Sequence, residues 1–117
     1  MLTSDAVTDE IRYRLLSYLS NHPEASQREI AGALGVSVGK VNYCVRALID
    51  KGLLKVRNFK NSKHKAAYAY LLTPQGIEEK INVTYAFLKR KVAEYDRIAE
   101  EIERLTSELG ELGEEKR

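Results

Sequence analysis

Residues 26–54 read SQREIAGALGVSVGKVNYCVRALIDKGLL, and the punctuation of this stretch decides the fold. Ser26 and Glu29 have capping-box spacing ahead of an apolar stripe, Ile30, Ala31 and Leu34. Gly35 ends that short helix, because the residue just past a helix end commonly needs positive φ. Ser37 caps the next helix almost at once, with Val36 and Val41 spaced as a hydrophobic staple. This second helix is expected over about residues 38–51, with Val38, Val41, Cys44, Val45, Leu48 and Ile49 on one face. Gly39, Asn42, Tyr43, Arg46 and Asp50 lie on the other, with Lys40 at the edge, and Gly52 closes the helix. Two short helices joined by a glycine-containing turn read as helix-turn-helix.

Upstream, Ile11, Leu15, Tyr18 and Leu19 have helical spacing over residues 8–20, and Asn21-His22-Pro23 stops them. Thr8 is the expected cap, with Asp9 and Glu10 in the first turn where the dipole favours acids; Ser4 is an alternative, earlier start. Downstream the period changes to alternation. LLKVRN sets Leu54 and Val56 against Lys55 and Arg57, and AYAYLL sets Tyr68, Tyr70 and Leu72 against Ala67, Ala69 and Leu71. With the basic, turn-forming FKNSKHKA between them, these predict a β-hairpin with a long basic tip.

Thr73-Pro74 opens the last element as cap and first helical residue. The helix is expected to run to about Leu109, roughly 54 Å at 1.5 Å per residue, with Gly110, Gly113 and the EEKR tail frayed. Ile81, Leu88, Tyr95, Ile102 and Leu109 recur every seven residues. Ile77, Ile98, Leu105 and Leu112 hold the companion positions, which Thr84 and Lys91 interrupt. Regular heptads therefore begin near Tyr95, and Phe87, Leu88 and Val92 are expected to pack on the body.

The 117 residues suit one compact domain with an attached element. A lone Cys44 excludes an internal disulfide and a cysteine-rich zinc module. His22, His64 and Cys44 have no spacing that makes a metal site or a nucleophile–base pair, so no enzyme, metal or cofactor is expected. Cys44 reads as a small buried core residue, with a redox sensor as the alternative. No apolar run suits a membrane span and the N-terminus lacks a signal-peptide pattern, so a cytoplasmic protein without membrane contact is expected. Net charge is only +2, yet residues 37–65 carry eight basic residues and Asp50, whereas 1–36 sum to −2 and 66–117 to −3. Positive charge concentrated in one window is how a polyanion-binding surface looks in sequence.

The order helix, helix, turn, helix, basic hairpin, long helix is that of an α+β winged helix-turn-helix. The stretch A-x-x-L-G-V-S-x-x-x-V followed by L-x-x-K-G-L-L resembles the MarR class of bacterial transcriptional regulators, and LLTPQG resembles their L-T-x-x-G. GKVNYC, RNFKNSKHKAAYAYLLTPQGIEEK and FLKRK resemble the subgroup of exopolysaccharide-associated MarR-family regulators. The resemblance covers roughly residues 8–105 and implies control of transcription, with exopolysaccharide genes as its object. The chain departs from the usual pattern in lacking D-x-R in the wing and in the expected absence of the extra N-terminal helix. Dimer geometry and a small-molecule effector are therefore not implied.

The residues reach DNA independently. A recognition helix buries one face and offers short polar and basic side chains to the major groove, which Ser37, Gly39, Lys40, Asn42, Tyr43 and Arg46 fit. Arg46 suits guanine and Asn42 adenine. Lys40, disfavoured by the dipole in the first turn, gains from a nearby phosphate. Arg57, Lys60, Asn61, Lys63, His64 and Lys65 make a wing able to reach phosphates or the minor groove; edge-strand protection is the plainer role for these lysines. Gln27 and Arg28, at the start of their helix, are candidates for phosphate.

Residues 1–75 are thus read as a double-stranded-DNA-binding domain and 76–117 as a dimerisation helix. Leu88, Tyr95, Ile98, Ile102, Leu105 and Leu109 are its homodimer seam, and pairing can be parallel or antiparallel. The alternative function is a winged-helix module that binds protein or RNA and assembles through the same helix.

Overall fold

The structure, a computed structural model, describes residues 2–60, 63 and 66–115. Its elements follow the order α1 (Leu2–Asn21), α2 (Gln27–Leu34), α3 (Val38–Asp50), β1 (Leu54–Lys60), β2 (Ala66–Leu72) and α4 (Pro74–Glu115). This is the expected α+β winged helix-turn-helix. Two compact units divide the chain, Met1–Tyr85 and Ala86–Arg117.

Local chemistry sets the turn between α2 and α3. Ser26 Oγ accepts the Glu29 amide at 3.1 Å and donates to the Glu29 carboxylate at 3.2 Å. Gly35 takes φ +71°, so its amide and that of Val36 both reach the Ala31 carbonyl. Ser37 Oγ then accepts the Lys40 amide at 3.0 Å. Each cap satisfies a donor that the helix start leaves without a partner.

Leu15, Leu16 and Leu19 of α1, Ile30 and Leu34 of α2, and Val41, Val45 and Leu48 of α3 form one buried cluster. Leu53, Leu54, Tyr70 and Val83 close it. Val38 departs from the expected apolar face: at 46% exposure it sits in the first turn of α3, ahead of the part that meets the core. Cys44 is half-buried and packs on the cluster's edge rather than inside it.

β1 and β2 pair antiparallel from Leu54↔Leu72 to Lys60↔Ala66. The strands are longer than expected, taking in Phe59, Lys60 and Ala66, because the paired backbone groups of Phe59↔Ala67 and Lys60↔Ala66 extend the ladder beyond the core. Burial follows position along the hairpin rather than the expected alternation: Leu54, Ala69 and Tyr70 near its base are buried, whereas Val56 on the Leu54 face and Tyr68 on the Tyr70 face are exposed. The Tyr70 amide turns away from β1 and donates to the Pro23 carbonyl at 2.8 Å, tying the loop after α1 to the sheet.

At the end of β2, Thr73 joins three elements. Its amide donates to the Leu53 carbonyl, its hydroxyl donates to the Gly52 carbonyl at 2.6 Å, and the same oxygen accepts the Gly76 amide at 3.0 Å. That closure brings the Leu53 carbonyl against the Gly76 Cα, where a Cβ would collide with it. Only glycine fits.

Two helix boundaries differ from expectation. α1 starts at Leu2, so Thr8 is not a cap and Asp9 and Glu10 lie beyond the first turn. No proline or glycine interrupts LTSDAVTDE to force a later start. α4 continues through Gly110 and Gly113 to Glu115. A glycine inside a helix costs about 1 kcal/mol without blocking it, and Leu109, Glu111 and Leu112 are good helix formers. In the second unit every described side chain from Lys91 to Gly113 is exposed. Leu88 and Val92, expected to pack, are 55% and 50% exposed. They extend the exposed apolar row of Tyr95, Ile98, Ile102, Leu105, Leu109 and Leu112. Phe87 is half-buried, with the Arg90 and Lys91 cations 5.8 and 5.3 Å from its ring centroid.

Candidate nucleic-acid interface

Burying Val41, Val45 and Leu48 turns the opposite side of α3 outward. Gly39, Lys40, Asn42, Tyr43 and Arg46 are all exposed there, Tyr43 by 71%. Ser37 stands at the head of this row as the cap. Among the described residues, no ion pair engages Lys40 or Arg46. The Lys40 ammonium lies 6.0 Å from the Tyr43 ring centroid, a contact that offsets part of its unfavourable place at the helix start.

Gln27 is half-buried and its side chain turns towards α3 and β2. Its Nε2 donates to Asn42 Oδ1 at 3.3 Å and to the Tyr70 hydroxyl at 3.1 Å. One amide therefore joins the start of α2, the outward row of α3 and the hairpin. Arg28, its neighbour, is exposed. The link through Tyr70 is not evident from sequence: strand alternation gives its face, but not the close approach of α2 that makes its hydroxyl a partner.

On the hairpin, Arg57 opposite Ala69 and Lys60 opposite Ala66 are exposed, as is Lys63 in the turn. Asn61, His64 and Lys65 lie outside the described residues. Beside α3, a cavity of about 200 Å³ opens against α1, with Leu15, Cys44 and Leu48 on its wall and Arg12, Lys40 and Lys51 bringing positive charge. Arg12 and Lys51 were not among the sequence candidates, since neither belongs to the outward row or the wing. Among the described residues, no His, Cys, Asp and Glu cluster could hold a metal ion, and no helix is long and apolar enough to cross a membrane.

Residues 8–55 match a protein family described as winged helix-turn-helix DNA-binding. Solved structures of transcription regulators share the fold. Staphylococcus aureus MarR in complex with salicylate and kanamycin is 22% identical with a TM-score of 0.53, over 74% of this chain. The chain spans 56% of that protein. A MarR/EmrR family transcriptional regulator from Acinetobacter sp. ADP1 is 24% identical, TM-score 0.56, over 86% of this chain and 75% of its own. A mutant of S. aureus MepR bound to oligodeoxyribonucleotide is 22% identical, TM-score 0.53, over 92% and 78%. No curated protein matches the sequence. At these identities the likeness establishes the fold.

Proposed function

We propose that this chain is a MarR-family transcription regulator that binds double-stranded DNA as a homodimer in the bacterial cytoplasm. The observation that carries the reading is the outward row of α3: Lys40, Asn42, Tyr43 and Arg46 stand exposed, and no ion pair among the described residues occupies the two cations. In this reading α3 enters the major groove, where Arg46 and Asn42 reach base edges and Lys40 a phosphate. Arg57, Lys60 and Lys63 carry the hairpin along the backbone or into the minor groove, joined by Asn61, His64 and Lys65. Arg28 takes a further phosphate at the start of α2. The oligonucleotide bound by the MepR mutant supports this mode for the shared fold. Control of exopolysaccharide genes rests on the sequence resemblance of GKVNYC and the wing segment.

A gel shift with random duplex DNA at low salt, followed by selection of bound fragments from genomic DNA, tests both levels. Binding to duplex with enrichment of defined fragments is expected, and fragments beside exopolysaccharide genes support the finer reading. Absence of any duplex shift at low salt removes the proposal and leaves the protein- or RNA-binding module.

A further inference from the structure

We propose that residues 86–115 of α4 pair antiparallel with the same segment of a second copy, Ile98 facing Ile102 and Lys91 lying beside Glu108. This rests on the homodimer reading above and adds direction and register to it. The exposed row has two core positions. Leu88, Tyr95, Ile102 and Leu109 take one; Lys91, Ile98, Leu105 and Leu112 take the other. At about 100° per residue, Val92, Ala99 and Thr106 border the first, and Glu94, Glu101 and Glu108 border the second. One edge is small or apolar, and the other is acidic.

Direction decides which edges meet. In a parallel pair each acidic edge faces the apolar edge of the other helix, and Lys91 faces its own copy in the core. Two ammonium groups then share a desolvated layer, while Glu94, Glu101 and Glu108 gain no cation. In an antiparallel pair like edges meet. Val92 then packs against Thr106 and Ala99 against Ala99, which widens the apolar contact. On the other side Glu94 approaches Glu108 of the second copy, and Lys91 stands between them. Its Nζ already holds the Glu94 carboxylate at 3.2 Å. Glu101 meets Glu101 with the Arg104 guanidinium of its own helix 4.0 Å away. The one cation in the row thus lies opposite Leu109 in this direction, with Glu94 of its own helix and Glu108 of the second copy on its flank, and opposite another cation in the other.

Overlap decides the register. Aligning the two segments end to end sets Leu88 against Leu112, Lys91 against Leu109, Tyr95 against Leu105, and Ile98 against Ile102. Sliding by one heptad either way takes apolar layers out of this overlap.

The test places nitroxide labels on the full-length chain, through Lys89→Cys or Glu111→Cys in a Cys44→Ala background, and reads distances by pulsed electron resonance. Labels at residue 89 in both copies are expected about 33 Å apart along the axis at 1.5 Å per residue, and the same at 111. A mixture of the 89 and 111 proteins is expected to give the shortest distance. Short 89–89 and 111–111 distances mean a parallel pair and overturn this inference while sparing the dimer. A monomer in sedimentation, without coupling between labels, overturns the dimer reading and this one with it. A charge exchange needs no label and leaves Cys44 in place. Lys91→Glu should weaken the dimer roughly tenfold, since it removes a charge pair twice, and Lys91→Glu with Glu108→Lys should restore it. Failure of the double variant to restore the dimer overturns the register.

Discussion

The side-chain amide of Gln27 donates to Asn42 Oδ1 at 3.3 Å, from α2 across to the outward row of α3. The same nitrogen reaches the Tyr70 hydroxyl at 3.1 Å, so a part-buried bond holds the Gln27 amide beside the exposed Asn42 side chain. Oδ1 accepts from Gln27 through one lone pair, which leaves the other lone pair and the Nδ2 donors for a base edge, the two kinds of group that adenine needs. If the outward row reads bases as proposed, this geometry gives Gln27 the task of positioning Asn42.

Gln27→Ala should lower affinity for the specific DNA site by about 0.5–1.5 kcal/mol, the scale of one hydrogen bond, with a smaller loss on random DNA. The effect should be non-additive with Asn42→Ala, because both changes remove one arrangement. Titrations of the four proteins in a double-mutant cycle check this. Additivity within about 0.5 kcal/mol means that Gln27 does not orient Asn42.

Arg46→Ala should cost about 1–3 kcal/mol at the specific site and relax the preference at one base position. Competition binding against a panel of single-base variants reads both effects. If specific and random DNA weaken equally, Arg46 contacts a phosphate and not a base.

Much of this fold was legible in the sequence because its signals are local. Ser26, Gly35, Ser37 and Gly52 each act on backbone groups within four residues, so their roles follow from spacing alone. The outward row of α3 was legible for the same reason, since burying Val41, Val45 and Leu48 leaves Asn42, Tyr43 and Arg46 no other direction. What sequence spacing does not give is contact between distant segments. The Gln27–Tyr70 bond spans 43 positions, and the need for glycine at 76 arises from the Leu53 carbonyl. Helix ends without a hard stop were also hidden: Thr8 could cap but does not, and Gly110 and Gly113 weaken α4 without ending it.

Gly76→Ala should destabilise the fold by about 1–3 kcal/mol, the usual cost of forcing an added methyl into a packed site. The new Cβ would press on the Leu53 carbonyl, which already accepts the Thr73 amide. Thermal melting of the full chain checks it, with Gly32→Ala as the control because a Cβ there meets open space. A Gly76→Ala protein that melts with the wild type removes the close approach.

The hairpin tip should act on all DNA sequences alike. Replacing Lys60, Lys63 and Lys65 with Gln should reduce the log–log salt slope of binding by up to roughly 0.9 per lost phosphate contact. Filter binding across a salt series measures the slope. An unchanged slope means that the tip points away from the duplex and that its lysines serve to protect the strand edge.

The second unit carries the last expectation. Tyr95, Ile98, Ile102, Leu105 and Leu109 are between 47% and 71% exposed on one helix. A contiguous apolar row of this kind marks an interaction surface. Pairing two such helices buries the row, and a two-fold pair matches a palindromic site. Ile102→Lys with Leu105→Lys puts two cations into the seam and touches none of the buried residues of the first unit, which end at Val83. The double variant should therefore be a folded monomer that keeps the cooperative melting of its first unit but loses most of its affinity for a palindromic site. Half-site binding should fall far less, because α3 and its outward row are untouched. Analytical ultracentrifugation at micromolar concentration decides it. A wild-type monomer, or a double variant that stays dimeric, removes this seam from the assembly.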